Sequence, residues 1–127
     1  MMADAADARS TADRVGLDIA LGPAAATVLE RVLGILAARA DLSVDSVSDV
    51  LLASDTLATA ARHIDGDRLE LELMVAPGRL DIVAGPFANG GAQALLDERR
   101  VGDVPILSRL ADELVVEDDR LRISFRG

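Results

Sequence analysis

The chain of 127 residues contains no cysteine, no lysine, no tryptophan and no tyrosine, and only one histidine and two phenylalanines. Without cysteine there are no disulfides and no thiolate metal sites, which leads to the expectation of a cytoplasmic protein. With only Phe87 and Phe125 as aromatics, the core has to be built from Leu, Val, Ile and Ala. All 13 basic residues are Arg, set against 22 acids, and the net charge of −9 argues against phosphate backbones and anionic membranes as partners. The scarcity of aromatics and of basic clusters removes further support for nucleic-acid binding. No apolar run approaches the ~20 residues of a membrane span. The opening stretch "MMADAADARSTADR" has neither the basic start nor the apolar middle of a signal peptide. It reads as a disordered, acidic, Ala-rich tail over residues 1–14, followed by one domain over 15–127.

What is present is periodic. Residues 15–21, "VGLDIAL", alternate and predict a strand, after which Gly22-Pro23 breaks the chain and opens a helix. That helix carries Val28, Leu29, Val32 and Leu36 and ends near Ala40. Ser43 or Ser46 caps a second helix, in which Val47, Val50, Leu51, Ser54, Leu57, Ala61 and Ile64 form the buried stripe and Asp65-Gly66 the stop. "DRLELELMV" and "RLDIVAG", joined by Ala76-Pro77-Gly78, predict an antiparallel hairpin. The irregular stretch 85–103 holds a short helix around Ala92–Arg99, and another helix runs from about Pro105 to Asp112. "ELVVED" and "RLRISF" close the chain as a hairpin turning at Asp118-Asp119. The order β-α-α-β-β-α-α-β-β predicts an α+β fold: a two-layer sandwich with a mixed, mostly antiparallel sheet and helices on one face.

The stretches "LLASDTLATAARHI" (51–64) and "PILSRLADELVVEDDRLRISF" (105–125) are similar to two regions of the bacterial anti-sigma factor serine kinases. The first resembles the second helix of that family, of the type "SELVTNAVRH"; the second resembles its ending, "LVRALADEVEV". "LDIVAGPF" resembles the strand and loop that carry the family's "DxGPG". The resemblance implies the histidine-kinase-like (GHKL) ATPase topology from about Val15 onward. It further implies a sigma factor and an anti-anti-sigma protein of the STAS fold as partners, met through the first helix and a sheet edge, and a possible homodimer.

The same resemblance assigns a vestigial nucleotide cleft. Asp55 falls where the family has its catalytic Glu, and Thr59 where an Asn holds magnesium; residues at i and i+4 share one helical face. Thr59 offers one hydroxyl in place of an amide carbonyl, a poorer ligand for a cation that demands well-placed oxygens. The Asp that reads adenine falls near Val83-Ala84, neither of which has a side-chain acceptor. The family's "GPG" becomes Gly85-Pro86-Phe87, and its glycine-rich phosphate loop becomes Val101-Gly102-Asp103-Val104, where only Gly102 remains. Asp103 adds a like charge costing ~1–4 kcal/mol at close approach to polyphosphate. With Asp55, Thr59, Gly85 and Gly102 as the cofactor-binding candidates, the expectation is a regulator acting by protein contact, with ATP binding lost or weakened, no phosphorylation and no metal site. ATP and magnesium are its cofactors only if the cleft is retained.

Three alternatives stay open. The chain is an active serine/threonine kinase using Asp55 as its carboxylate and Gly102 in a shortened phosphate loop. The former cleft holds another small molecule. The plainest reading of Asp55 and Thr59 is the exposed face of an amphipathic helix. His63, without Cys or a second His, is expected to interact with the last carbonyls of its helix rather than with a metal. "ANGG" (88–91) reads as a flexible connection or as the remnant of a lid.

Overall fold

A computed structural model describes residues 13–64, 67–88, 90–97, 100–101 and 104–127. The expected tail up to residue 12, the helix stop at 65–66, the end of the expected Ala92–Arg99 helix at Glu98 and Arg99, and Asn89, Gly102 and Asp103 lie outside the described residues. The elements are β1 (Asp13–Ala20), α1 (Ala25–Arg39), α2 (Val44–Ile64), β2 (Arg68–Ala76), β3 (Arg79–Ala84) and α3 (Gly91–Asp97). They continue with β4 (Arg100–Val101), β5 (Val104–Pro105), α4 (Ile106–Leu110), β6 (Glu113–Glu117) and β7 (Arg120–Arg126).

Five strands form one sheet in the order β1-β2-β3-β7-β6, and every neighbouring pair is antiparallel. The sheet, expected to be mixed and mostly antiparallel, is antiparallel throughout its five strands. Two tight hairpins and the β1-α1-α2-β2 excursion all return the chain in the opposite sense. The two-residue ribbon β4/β5 is additional to the expected order, too short to leave a periodic signal. The first strand begins two residues earlier than expected. Asp13 pairs with Val75, and its carboxylate accepts a hydrogen bond from Arg39 at the end of α1 at 2.9 Å.

Local chemistry explains the boundaries. α1 ends with Asp41 in the left-handed region at φ 58°. The Leu42 N–H donates to Ala37 O and the Asp41 N–H to Ala38 O, the paired bonds of a Schellman cap, with buried Leu42 packed over the end. Ser43 caps α2: its Oγ accepts from the Ser46 N–H at 3.2 Å, while the Ser46 hydroxyl donates to Arg126 O and ties the helix start to the end of β7. The β2–β3 turn has Gly78 at φ 74°, and the β6–β7 turn has Asp118 and Asp119 at φ 53° and 59°, the left-handed pair that matches strand twist.

The alternating strand residues sort onto two faces. Leu69, Leu71, Leu73 and Val75 of β2, Leu80, Ile82 and Ala84 of β3, and Leu121, Ile123 and Phe125 of β7 are buried toward the helices. From the helical layer Leu29, Leu33, Leu36, Val50 and Leu57 meet them. The buried face of α2 is wider than a single stripe, because Ala53, Thr56, Ala58 and Ala60 are covered as well. This helix packs against α1, α3 and α4 in addition to the sheet. No helix among the described residues is long and apolar enough to cross a membrane.

Candidate functional site

The polar face of α2 carries the residues singled out in the sequence. Asp55 is exposed and Thr59 half-buried, one helical turn apart. Their neighbours turn their polarity inward: Ser54 Oγ donates to Leu51 O at 2.7 Å and Thr56 Oγ1 to Leu52 O at 3.0 Å. These two buried hydroxyls are thus satisfied by their own helix and are not presented to a ligand. Arg62 and His63 are exposed in the last turn, where positive charge suits the helix dipole.

Ala92 and Leu95 of α3 and Leu107 of α4 are buried, and both short helices pack on α2. Phe87 is only 7 % exposed and belongs to the core cluster, so its ring is a packing element rather than a loop residue open to solvent. Val83 and Ala84, at the position of the expected adenine reader, are strand residues. Val83 pairs with Glu72 and Arg122 on the outer face, and Ala84 with Leu71 and Leu121 on the core face.

Gly85 has a structural role of its own. It sits at φ 117°, and a Cβ there would lie 2.9 Å from the Asp119 carbonyl oxygen and 3.2 Å from the Phe87 ring. Its N–H donates to Glu70 O, and the Phe87 N–H donates to Asp119 O, so the strand end is laced to the β6–β7 turn. The three close neighbours of Gly85 are on that turn and on Phe87, none on α2. Gly85 lines two hollows on the outer sheet face.

That outer face is the feature the motif reading passed over. One hollow on it, about 580 Å³, is lined by Gly16, Asp18, Glu70, Glu72 and Arg120 among others. Arg68 donates to Asp18 at 2.9 Å, and Arg14 lies 3.5 Å from Glu72. Farther along, Arg79 binds Asp81 at 3.0 Å and reaches Glu113 at 3.9 Å, and Arg126 reaches the same Glu113 at 3.3 Å. The hydrogen bond and the charge of Asp81 raise the affinity of Arg79 for its proton above the ordinary guanidinium value. Ser124 stands between Asp81 and Glu113 in the register and is fully buried, its Oγ without a hydrogen-bond partner. The period-two pattern of "RLELEL" was the available signal for this charged face. Among the described residues no three His, Cys, Asp or Glu side chains lie close enough to hold a metal ion.

No protein-family model matches the chain, and no curated protein matches it.

Proposed function

We propose that this chain is a regulatory protein of the anti-sigma factor type, with a histidine-kinase-like topology, that acts by protein–protein contact and has lost or weakened nucleotide binding. The observation that carries this reading is Phe87, drawn into the core where the family's loop would admit a nucleotide. Three further facts support it: α3 and α4 packed on α2, Val83 and Ala84 without side-chain acceptors, and Thr59 as a single half-buried hydroxyl at the metal position. The element order and the antiparallel sheet with helices on one face are compatible with the topology. Because the function lies in contact, the partners are a sigma factor and a STAS-fold antagonist. Mixing the purified chain with each of the two encoded in its own genome, without nucleotide, tests the proposal. Complex formation with either one, with no transfer of labelled phosphate from ATP to the STAS protein, is the expected result. Phosphate transfer that depends on Asp55 contradicts it and establishes the kinase reading instead.

A further inference from the structure

Across the outer face of the sheet, the register sets unlike residues side by side. Glu72 of β2, Val83 of β3 and Arg122 of β7 stand level, because Val83 pairs with both of the others. One step along, Gly85 follows β3 between Glu70 and Arg120. Its N–H donates to Glu70 O, and a Cβ on it would come within 3.3 Å of the Arg120 Cα. Residues two apart on a strand share a face. Glu70 and Glu72 therefore form one wall of a trough, Arg120 and Arg122 the other, and Val83 and Gly85 the floor. The backbones under the two walls are two strand spacings apart, about 9.5 Å.

The trough encloses usable space. The hollow of about 580 Å³ is lined by Glu70, Glu72, Val83, Gly85 and Arg120 among others, and a second of about 230 Å³ by Glu72, Val83, Arg120 and Arg122 among others. The two hollows share Glu72, Val83 and Arg120. The small floor keeps the middle low, since Gly85 has no side chain and Val83 a short one.

The walls carry opposite charge and do not close on each other. Among the described residues, no ion pair crosses β3 from Glu70 or Glu72 to Arg120 or Arg122. The pairs that do form stay beside the trough: Arg14 with Glu72 and Arg68 with Asp18 past the acidic wall, and Arg126 with Glu113 past the basic one. Arg122 also lacks an acceptor, for its Nε is buried with no hydrogen-bond partner. That is a costly state for a guanidinium N–H, and the side chain leaves it by turning into the hollow to meet an oxyanion.

We propose that this trough binds a linear zwitterion. Its ammonium lies between Glu70 and Glu72, its carboxylate between Arg120 and Arg122, and the chain joining them runs over Val83 and Gly85. A plain anion meets the repulsion of Glu72, Glu117 and Asp118, which line the same hollow as the arginines. A plain cation meets that of Arg120 and Arg122. An α-amino acid carries its charges on adjacent carbons and cannot reach both walls. An ω-amino acid or a short peptide with free ends can. The trough is on the opposite side of the sheet from α2, so it stands or falls independently of nucleotide binding and of the regulatory partners.

Titration of the isotope-labelled full chain, followed through its amide NMR signals, tests it. The probes are ε-aminocaproate and triglycine, with caproate, hexylamine and glycine as controls. Saturable shifts at Val83, Gly85 and Arg122 are expected for at least one zwitterion, with a dissociation constant of about 1 mM because the trough is open to solvent. The tighter of the two identifies the source as a free ω-amino acid or a peptide. The controls are expected to bind about tenfold more weakly or not at all. Glu70→Gln and Arg120→Gln change exposed side chains, and each is expected to weaken binding at least about threefold with an unaltered circular dichroism spectrum. Arg122→Gln is expected to do the same; if it unfolds, the two exposed variants carry the test. Absence of saturable shifts at about 20 mM of either zwitterion overturns the proposal. So does caproate or hexylamine binding as tightly as ε-aminocaproate, or an affinity unchanged by Glu70→Gln and Arg120→Gln.

Discussion

At Gly85 two constraints coincide, a positive φ of 117° and a carbonyl oxygen 2.9 Å from where a Cβ would stand. Each alone would disfavour a side chain, and together they leave no room to relax, because Asp119 O is fixed by the Phe87 N–H. Gly85→Ala is expected to cost about 2–3 kcal/mol, read as a lowered midpoint in urea unfolding. An unchanged midpoint would mean that the turn at 118–119 yields freely. Asp41 shows the converse, a left-handed position held by a residue with a Cβ. Glycine relieves a strain of ~1–2 kcal/mol per left-handed residue, less for Asp, but adds freedom to the unfolded chain. The second effect takes back ~0.4–1 kcal/mol, so Asp41→Gly is expected to gain about 0.5 kcal/mol net. Asp41→Val, a β-branched residue at the same φ, is expected to lose about 1–2 kcal/mol. Thermal melts of the two variants should move in opposite directions.

Among the elements, the two hairpins show what a sequence makes legible. "DRLELELMV" and "RLDIVAG" alternate strictly, and Pro77-Gly78 supplies the turn geometry, so strand limits and register follow from period two alone. The Asp118-Asp119 turn was legible for the same reason. The α2 stripe was legible only in part: its period marked one face, while the burial of Ala53, Ala58 and Ala60 depends on three helices that converge from distant parts of the chain. The ribbon β4/β5 is below the length at which period carries information. For the candidate site, spacing placed Asp55 and Thr59 on one helix correctly. Pattern alone had no access to the packing of Phe87 or to the close approach that requires Gly85, since both depend on how residues 85–87 meet the β6–β7 turn. The outer-face network was hidden in another way. Ser124 reads as an ordinary strand serine, yet Arg79 spans from Asp81 to Glu113 on either side of it and accounts for its burial. Because its Oγ is buried without a partner, Ser124→Ala removes an unmet hydrogen-bonding group. The expected outcome is a midpoint unchanged or raised by up to about 1 kcal/mol, where a hydroxyl in use would give a loss of similar size.

Taken whole, the molecule divides its labour between two faces. The helical face holds an aliphatic core with both phenylalanines, and α3 and α4 pack on α2. The sheet face displays alternating Arg and carboxylate pairs. Most of these ion pairs are solvent-exposed and each stabilises little, roughly 0–1 kcal/mol, so their ordered signs are better suited to selecting a partner than to holding the fold. Under the proposed function, the packing of α3 and α4 on α2 is the departure from an ATP-using relative. Isothermal calorimetry of the wild-type chain with ATP and magnesium addresses that departure most directly. The account predicts no saturable heat up to about 1 mM nucleotide, weaker than ~−4 kcal/mol of binding. A dissociation constant in the micromolar range that requires magnesium, and that is lost in Thr59→Val, would contradict it.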